Sequence, residues 1–148
     1  MRLGVGVGWH EDEFRFMGVE FRGRGRRADE AIEVMKALWG GAASFAGEYW
    51  QFEEASFAPL PARQPEIWVG GVNDAAIRRV RKLGDVWHPS SNVDPQFLRD
   101  VVAENPDLRW VPRTTPDRVE ELLELGAEGV AVMFPDVPSM RTFIARYR

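Results

Sequence analysis

From Ile67 onward the chain alternates short apolar runs with amphipathic stretches in a regular rhythm, and this limits its fold more than any other feature. Residues 67–71, 85–88, 108–111 and 130–134 read as strands; residues 74–83, 95–103, 116–125 and 139–146 read as helices. Thr115 and Pro116 stand at the cap and first position of the third helix. Before this series, residues 3–8 form an apolar, glycine-punctuated strand, and residues 11–17 a short helix closed by Gly18. Residues 26–39 carry Ala28, Ile32, Met35, Leu38 and Trp39 at helical spacing and stop at Gly40 and Gly41. Residues 44–52 read as a β-hairpin turning near Gly47, followed by a loop holding Pro59, Pro61 and Pro65. Short apolar strands separated by amphipathic helices imply an α/β fold, a parallel sheet covered by helices, here with five β–α units and one small hairpin insertion.

The totals exclude several classes. The 148 residues suit a single domain, and 45% hydrophobic with 28% charged residues fits a globular chain rather than a disordered one. A net charge of −4, with the 17 arginines spread along the chain, argues against a nucleic-acid or anionic-membrane partner. Without cysteine there is no disulfide framework, thiolate nucleophile or cysteine-ligated metal. No apolar run approaches the roughly 18–20 residues needed to span a bilayer, and no signal-peptide pattern follows Met1, so a cytoplasmic location is expected.

Four motifs in series resemble the luciferase-like monooxygenase superfamily, and within it the probable F420-dependent oxidoreductases. They are Leu3 to Phe14 with Gly18, Val19 and the Arg24, Arg27, Glu30 run; Leu38-Trp39 with Ser44 to Trp50; Pro65 to Gly71; and Ala75 to Asp85 with Trp87-His88-Pro89. The resemblance covers residues 2–89 and fades beyond Pro89. It implies a TIM (β/α)8 barrel in which residues 3–8 are the fourth strand. The expectation is therefore a partial barrel, strands four to eight, in one domain (residues 1–148) lacking the first three β–α units, through natural truncation or as part of a longer chain.

Sites in such barrels lie at the C-terminal ends of the strands. Gly70-Gly71-Val72-Asn73 stands at such an end before a helix, where missing side chains and free helix N–H groups suit an anion. The resemblance places the phosphate of F420, or alternatively FMN, here; the alternative is that the glycines only make a tight strand-to-helix turn. Gly6 and Gly8 leave one face of their strand bare, for a cofactor ring by resemblance or for close strand packing. In sugar-phosphate dehydrogenase relatives an acidic residue at the place of Trp9 donates a proton, a role Trp9 cannot take, so it walls a pocket or joins the core. Val86 replaces a glycine of the family's Asp-Gly-Trp and would crowd a ligand.

His88, at a strand end, is a candidate acid or base, as is His10, against the alternative of structural histidines. Glu11, Asp12 and Glu13 read as a solvated helix start, and Arg22, Arg24, Arg26 and Arg27 as a solvated face or a contact for a phosphate or an acidic tail. Phe45, Tyr49, Trp50 and Phe52 either line a substrate entrance or cover the barrel end.

The implied activity is hydride transfer or monooxygenation of a small organic substrate with F420 or FMN. The alternatives are a non-catalytic half-barrel serving assembly, and an unrelated phosphate-binding α/β domain. Strands 3–8 and 130–134 would be raw, uncharged sheet edges, so a homo-oligomer or a missing N-terminal segment is the expected partner.

Overall fold

The computed structural model describes residues 1–90 and 92–146. A parallel three-stranded sheet in the order β1 (Arg2–Val5), β4 (Glu66–Gly70), β5 (Val86–His88) forms its centre. Leu3 pairs with Ile67, Val5 with Val69, and Val69 in turn with Trp87. Between β1 and β4 come α1 (Glu11–Phe16), α2 (Arg24–Trp39) and an antiparallel hairpin, β2 (Phe45–Ala46) and β3 (Gln51–Phe52). After β4 follow α3 (Asp74–Leu83), then β5, α4 (Pro95–Glu104), β6 (Arg113–Thr114), a 3₁₀ turn (Pro116–Arg118), α5 (Val119–Glu124), β7 (Ala131–Val132) and α6 (Val137–Ala145).

Alternation along the strands divides the sheet into two faces. Ile67, Val69 and Trp87 turn toward the helices and are completely buried with Ile32, Val80, Leu98, Trp110 and Leu122. The opposite face carries Gly4, Trp68 and Gly70 together with Val86 and His88. At the N-terminal end of this face the Glu66 carboxylate accepts from Arg2, from Arg109 (2.8 Å) and from the Trp68 indole (2.7 Å), and Arg109 also binds Glu128. The indole N–H and the Arg109 guanidinium hold the Glu66 carboxyl below its ordinary range.

Several boundaries differ from the sequence reading. The first strand ends at Val5, leaving Gly6 and Gly8 beyond the ladder. The expected strand at 108–111 contributes one bridge, Trp87 to Trp110, and the regular pairing resumes only at β6 with β7. Proline explains the interruption, because Pro89 and Pro112 have no N–H to donate to the ladder. The chain nevertheless stays in register, since Val111 N–H reaches Trp87 O, Arg113 N–H reaches Pro89 O, and Ala131 N–H reaches Pro112 O. The expected 116–125 helix divides into the 3₁₀ turn and α5. Thr115 occupies the cap position but its side chain makes no cap bond, and it holds Asp117 instead. The last helix starts two residues early, capped by Asp136, which accepts from Ser139 N–H at 2.7 Å.

Candidate functional site

Gly70 pairs with His88 and lies against the carbonyl oxygen of Val5 in β1, so Gly6, Gly70 and His88 come together at the C-terminal edge of the sheet. A Cβ at Gly4 or Gly6 would meet nothing within 4 Å, whereas one at Gly70 would lie 3.4 Å from Val5 O. The strip across β1 and β4 is therefore backbone without side chains, flanked by Trp68 and His88, whose ring centres are 5.5 Å apart.

At the end of this strip the chain turns into α3. Gly71 has φ +126, and a Cβ there would stand 2.7 Å from Ala76 Cβ, so only glycine fits. Its carbonyl accepts the Trp87 indole N–H at 2.8 Å, tying the turn to the core. Asn73 caps α3 by accepting from Ala76 N–H at 3.0 Å. Val72, Asn73, Asp74 and Ala75 are exposed, so the first turn of α3 is open to solvent.

His88 donates from Nδ1 to Val111 O, the acceptor that an amide at position 89 would reach if that residue were not proline. The bond fixes Nδ1 as the protonated nitrogen and leaves Nε2 for any ligand. His10 is half-buried at the start of α1, with Nδ1 buried and unpartnered. Trp9 is 83% exposed and meets the His10 ring edge-on, with ring centres 5.1 Å apart, so it is not core. Val86 is completely buried, paired with Trp68 in mid-sheet. Asp85 accepts Ile67 N–H at 2.7 Å, anchoring β4.

A cleft of about 680 Å³ runs between β1 and α2, lined by Val5, Gly6, Val7, Gly8, Phe14, Ala28, Ile32, Met35 and Trp50, with Arg24 and Arg27 among its polar residues. Gly8 has φ +76 and faces the Phe14 ring so closely that a Cβ would lie 2.7 Å away. Its carbonyl accepts from Arg24 at 3.0 Å. Three of the four arginines of the basic run are thus committed locally, with Arg24 over the Phe21 ring, Arg26 paired to Glu48, and Arg27 bound to Glu20 O. Glu11, Asp12 and Glu13 are exposed, as expected of a solvated helix start. Among the described residues no group of acidic or histidine side chains is placed to hold a metal, and no helix is long and apolar enough to cross a membrane.

Sequence reasoning assigned no role to Glu30. It is buried on α2, and its carboxylate accepts from three consecutive amides of the hairpin: Glu48 at 2.9 Å, Tyr49 at 2.8 Å and Trp50 at 2.9 Å. Burial pushes the Glu30 carboxyl up, but the three N–H donors prevail and hold it below its ordinary value. The only signal in the sequence is a carboxylate placed beside the apolar positions Ile32 and Met35 of α2, followed by a glycine at the hairpin tip.

A family model described as luciferase-like monooxygenase matches residues 1–105. The chain belongs to the luciferase-like monooxygenase family. An uncharacterized protein of Mycobacterium tuberculosis is 38% identical over 168 positions, covering 97% of this chain and 57% of that protein. An F420-dependent glucose-6-phosphate dehydrogenase of Nakamurella multipartita is 27% identical, covering 80% of the chain and 32% of that enzyme. An FMNH2-dependent dimethylsulfone monooxygenase of Pseudomonas fluorescens is 30% identical, covering 62% and 27% respectively. The luciferase-like chain spans little more than half the length of the mycobacterial relative, and the 168 aligned positions exceed its own 148 residues, so the relative also has residues without counterpart here. The fold is similar to that of an F420-dependent secondary alcohol dehydrogenase solved with an F420–acetone adduct, with TM-score 0.59, 18% identity, and 84% of this chain and 44% of that chain covered. This likeness shows an α/β fold with parallel strands of the luciferase-like kind.

Proposed function

We propose that this chain carries the phosphate-binding part of an oxidoreductase that uses F420, with FMN as the alternative, on a small organic substrate. The observation that carries the reading is the bare strip of Gly6 and Gly70 running into the open first turn of α3. A planar ring needs backbone without Cβ atoms beneath it, and a phosphate needs unpaired N–H groups at a helix start. Residues Gly70, Gly71, Val72 and Asn73 would hold the phosphate, Gly6 and Gly8 would border the ring, and His88 Nε2 is the ring nitrogen free to accept a proton or hydrogen bond. When bound, the cofactor supplies the hydride or oxygen chemistry, while these residues bind and orient it. The F420-dependent relative covers more of the chain than the FMNH2-dependent one, 80% against 62%, which favours F420. Titration of the purified chain with F420 and with FMN, followed by cofactor fluorescence, is expected to saturate and to favour F420. No change with either overturns the proposal.

The same reading gives the free edge of β1 a partner. Arg2 and Gly4 are exposed along it, and Phe16 and Met17 nearby are 80% and 78% exposed. Unpaired strand N–H and C=O groups beside exposed apolar side chains invite pairing with another chain segment. A second copy, or an N-terminal segment supplying further β–α units, would cover it. Sedimentation at micromolar concentration is expected to show a self-associating chain, and a stable monomer would exclude the second copy.

A further inference from the structure

The hairpin tip is built around the Glu30 carboxylate. A Cβ at Gly47 would stand 2.0 Å from Glu30 Oε1, so the turn closes on the carboxylate only because residue 47 has no side chain. Three successive amides, at Glu48, Tyr49 and Trp50, then converge on its two oxygens at 2.8–2.9 Å. No cation pairs with Glu30 among the described residues, so these amides are its compensation for burial. Neighbouring contacts on the first turns of α2 brace the same tip, with Arg26 paired to Glu48 at 3.2 Å and Arg27 above the Tyr49 ring at 5.3 Å. The outcome is a fixed position for Trp50, which is 36% exposed and lines the cleft that Gly6 and Gly8 also line.

We propose that Glu30 is a positioning residue that docks the hairpin onto α2 so that Trp50 walls this cleft, and that Trp50 there selects for a flat, apolar part of the bound ligand. The positioning rests on geometry alone; the ligand role rests on the cofactor reading above. A carboxylate receiving three backbone N–H groups is a stronger and more directional anchor than the apolar contacts of a two-residue-per-strand hairpin, which is marginal by itself. An indole presents a large rigid face, suited to stacking on a planar ring.

The test uses the full chain labelled with fluorinated tryptophan, the Trp50 resonance being assigned with Trp50→Phe. In Glu30→Gln and, independently, in Gly47→Ala, the Trp50 resonance is expected to move toward that of an exposed indole. Amide exchange at residues 48–50 is expected to quicken by roughly tenfold or more, with the Trp87 and Trp110 resonances unchanged as evidence of an intact core. An unmoved Trp50 resonance with unchanged exchange in both variants overturns the positioning role. For the ligand role, Trp50→Ala is expected to weaken binding of the F420 or FMN probe about tenfold, and Glu30→Gln to add nothing further in the Trp50→Ala background. Unchanged affinity in Trp50→Ala, or additive losses in the double variant, overturns it. If the unaltered chain binds neither probe, the cofactor reading falls and Trp50's ligand role with it, while the fluorine signal still decides the positioning role.

Discussion

Trp87→Ala is expected to remove a large share of the chain's stability. Trp87 is completely buried at the centre of the sheet and packs against Trp110 and Phe97, with ring centres 6.4 Å away in both cases. Truncating a buried aromatic to alanine costs about 3–5 kcal/mol, against the roughly 5–15 kcal/mol that hold a typical domain together. The substitution also leaves Gly71 O without the indole N–H it accepts at 2.8 Å. Trp87→Phe separates the two effects. It retains most of the packing and loses that one hydrogen bond, a change of about 1 kcal/mol, whose structural consequence falls on the glycine turn. Urea unfolding followed by far-UV circular dichroism reads both. Near-native stability in Trp87→Ala would mean that the three-strand centre is not the core.

Gly71→Ala is expected to disable the proposed phosphate turn while leaving the remainder of the sheet folded. The backbone at φ +126 is closed to residues with a side chain, which alone costs about 1–3 kcal/mol. The added methyl would also stand 2.7 Å from Ala76 Cβ, on the helix whose first turn is the proposed anion site. Relieving that contact is expected to push the α3 start away from β4 and so to displace the N–H groups of its first turn. The expected readout is a lower urea midpoint together with at least a tenfold loss of F420 affinity. Loss of stability with affinity intact would detach the turn from the binding site.

Much of this arrangement is legible in sequence, for identifiable reasons. The 67–71 strand and 74–83 helix stand out as a short apolar run followed by an amphipathic stretch, and the structure places β4 and α3 within a residue of them. Local signals of this kind act within a few residues and survive without tertiary information. The 108–111 strand shows the opposite case. Its apolar run is genuine, but whether it pairs depends on prolines in two segments that meet only in the fold, Pro89 and Pro112. His88 looked like a candidate acid or base, and the structure shows its ring supplying the N–H that Pro89 lacks. That function is invisible until Val111 is brought alongside. Glu30 escaped for the same reason, since its three partners lie 18 to 20 residues away. Gly8, read beside Gly6 as part of one bare strand face, turns out to serve the packing of Phe14 and the grip of Arg24. Of these two glycines, Gly6 keeps open space above it.

The C-terminal edge of this sheet is the proposed cofactor-phosphate site of this luciferase-like chain. Amide chemical shifts recorded while F420 is added to the labelled chain test it most directly. The account predicts saturable shifts concentrated at Gly6, Gly70, Gly71, Val72 and Asn73, abolished by Gly71→Ala. Shifts absent from these residues, or spread over the chain without saturation, would contradict it.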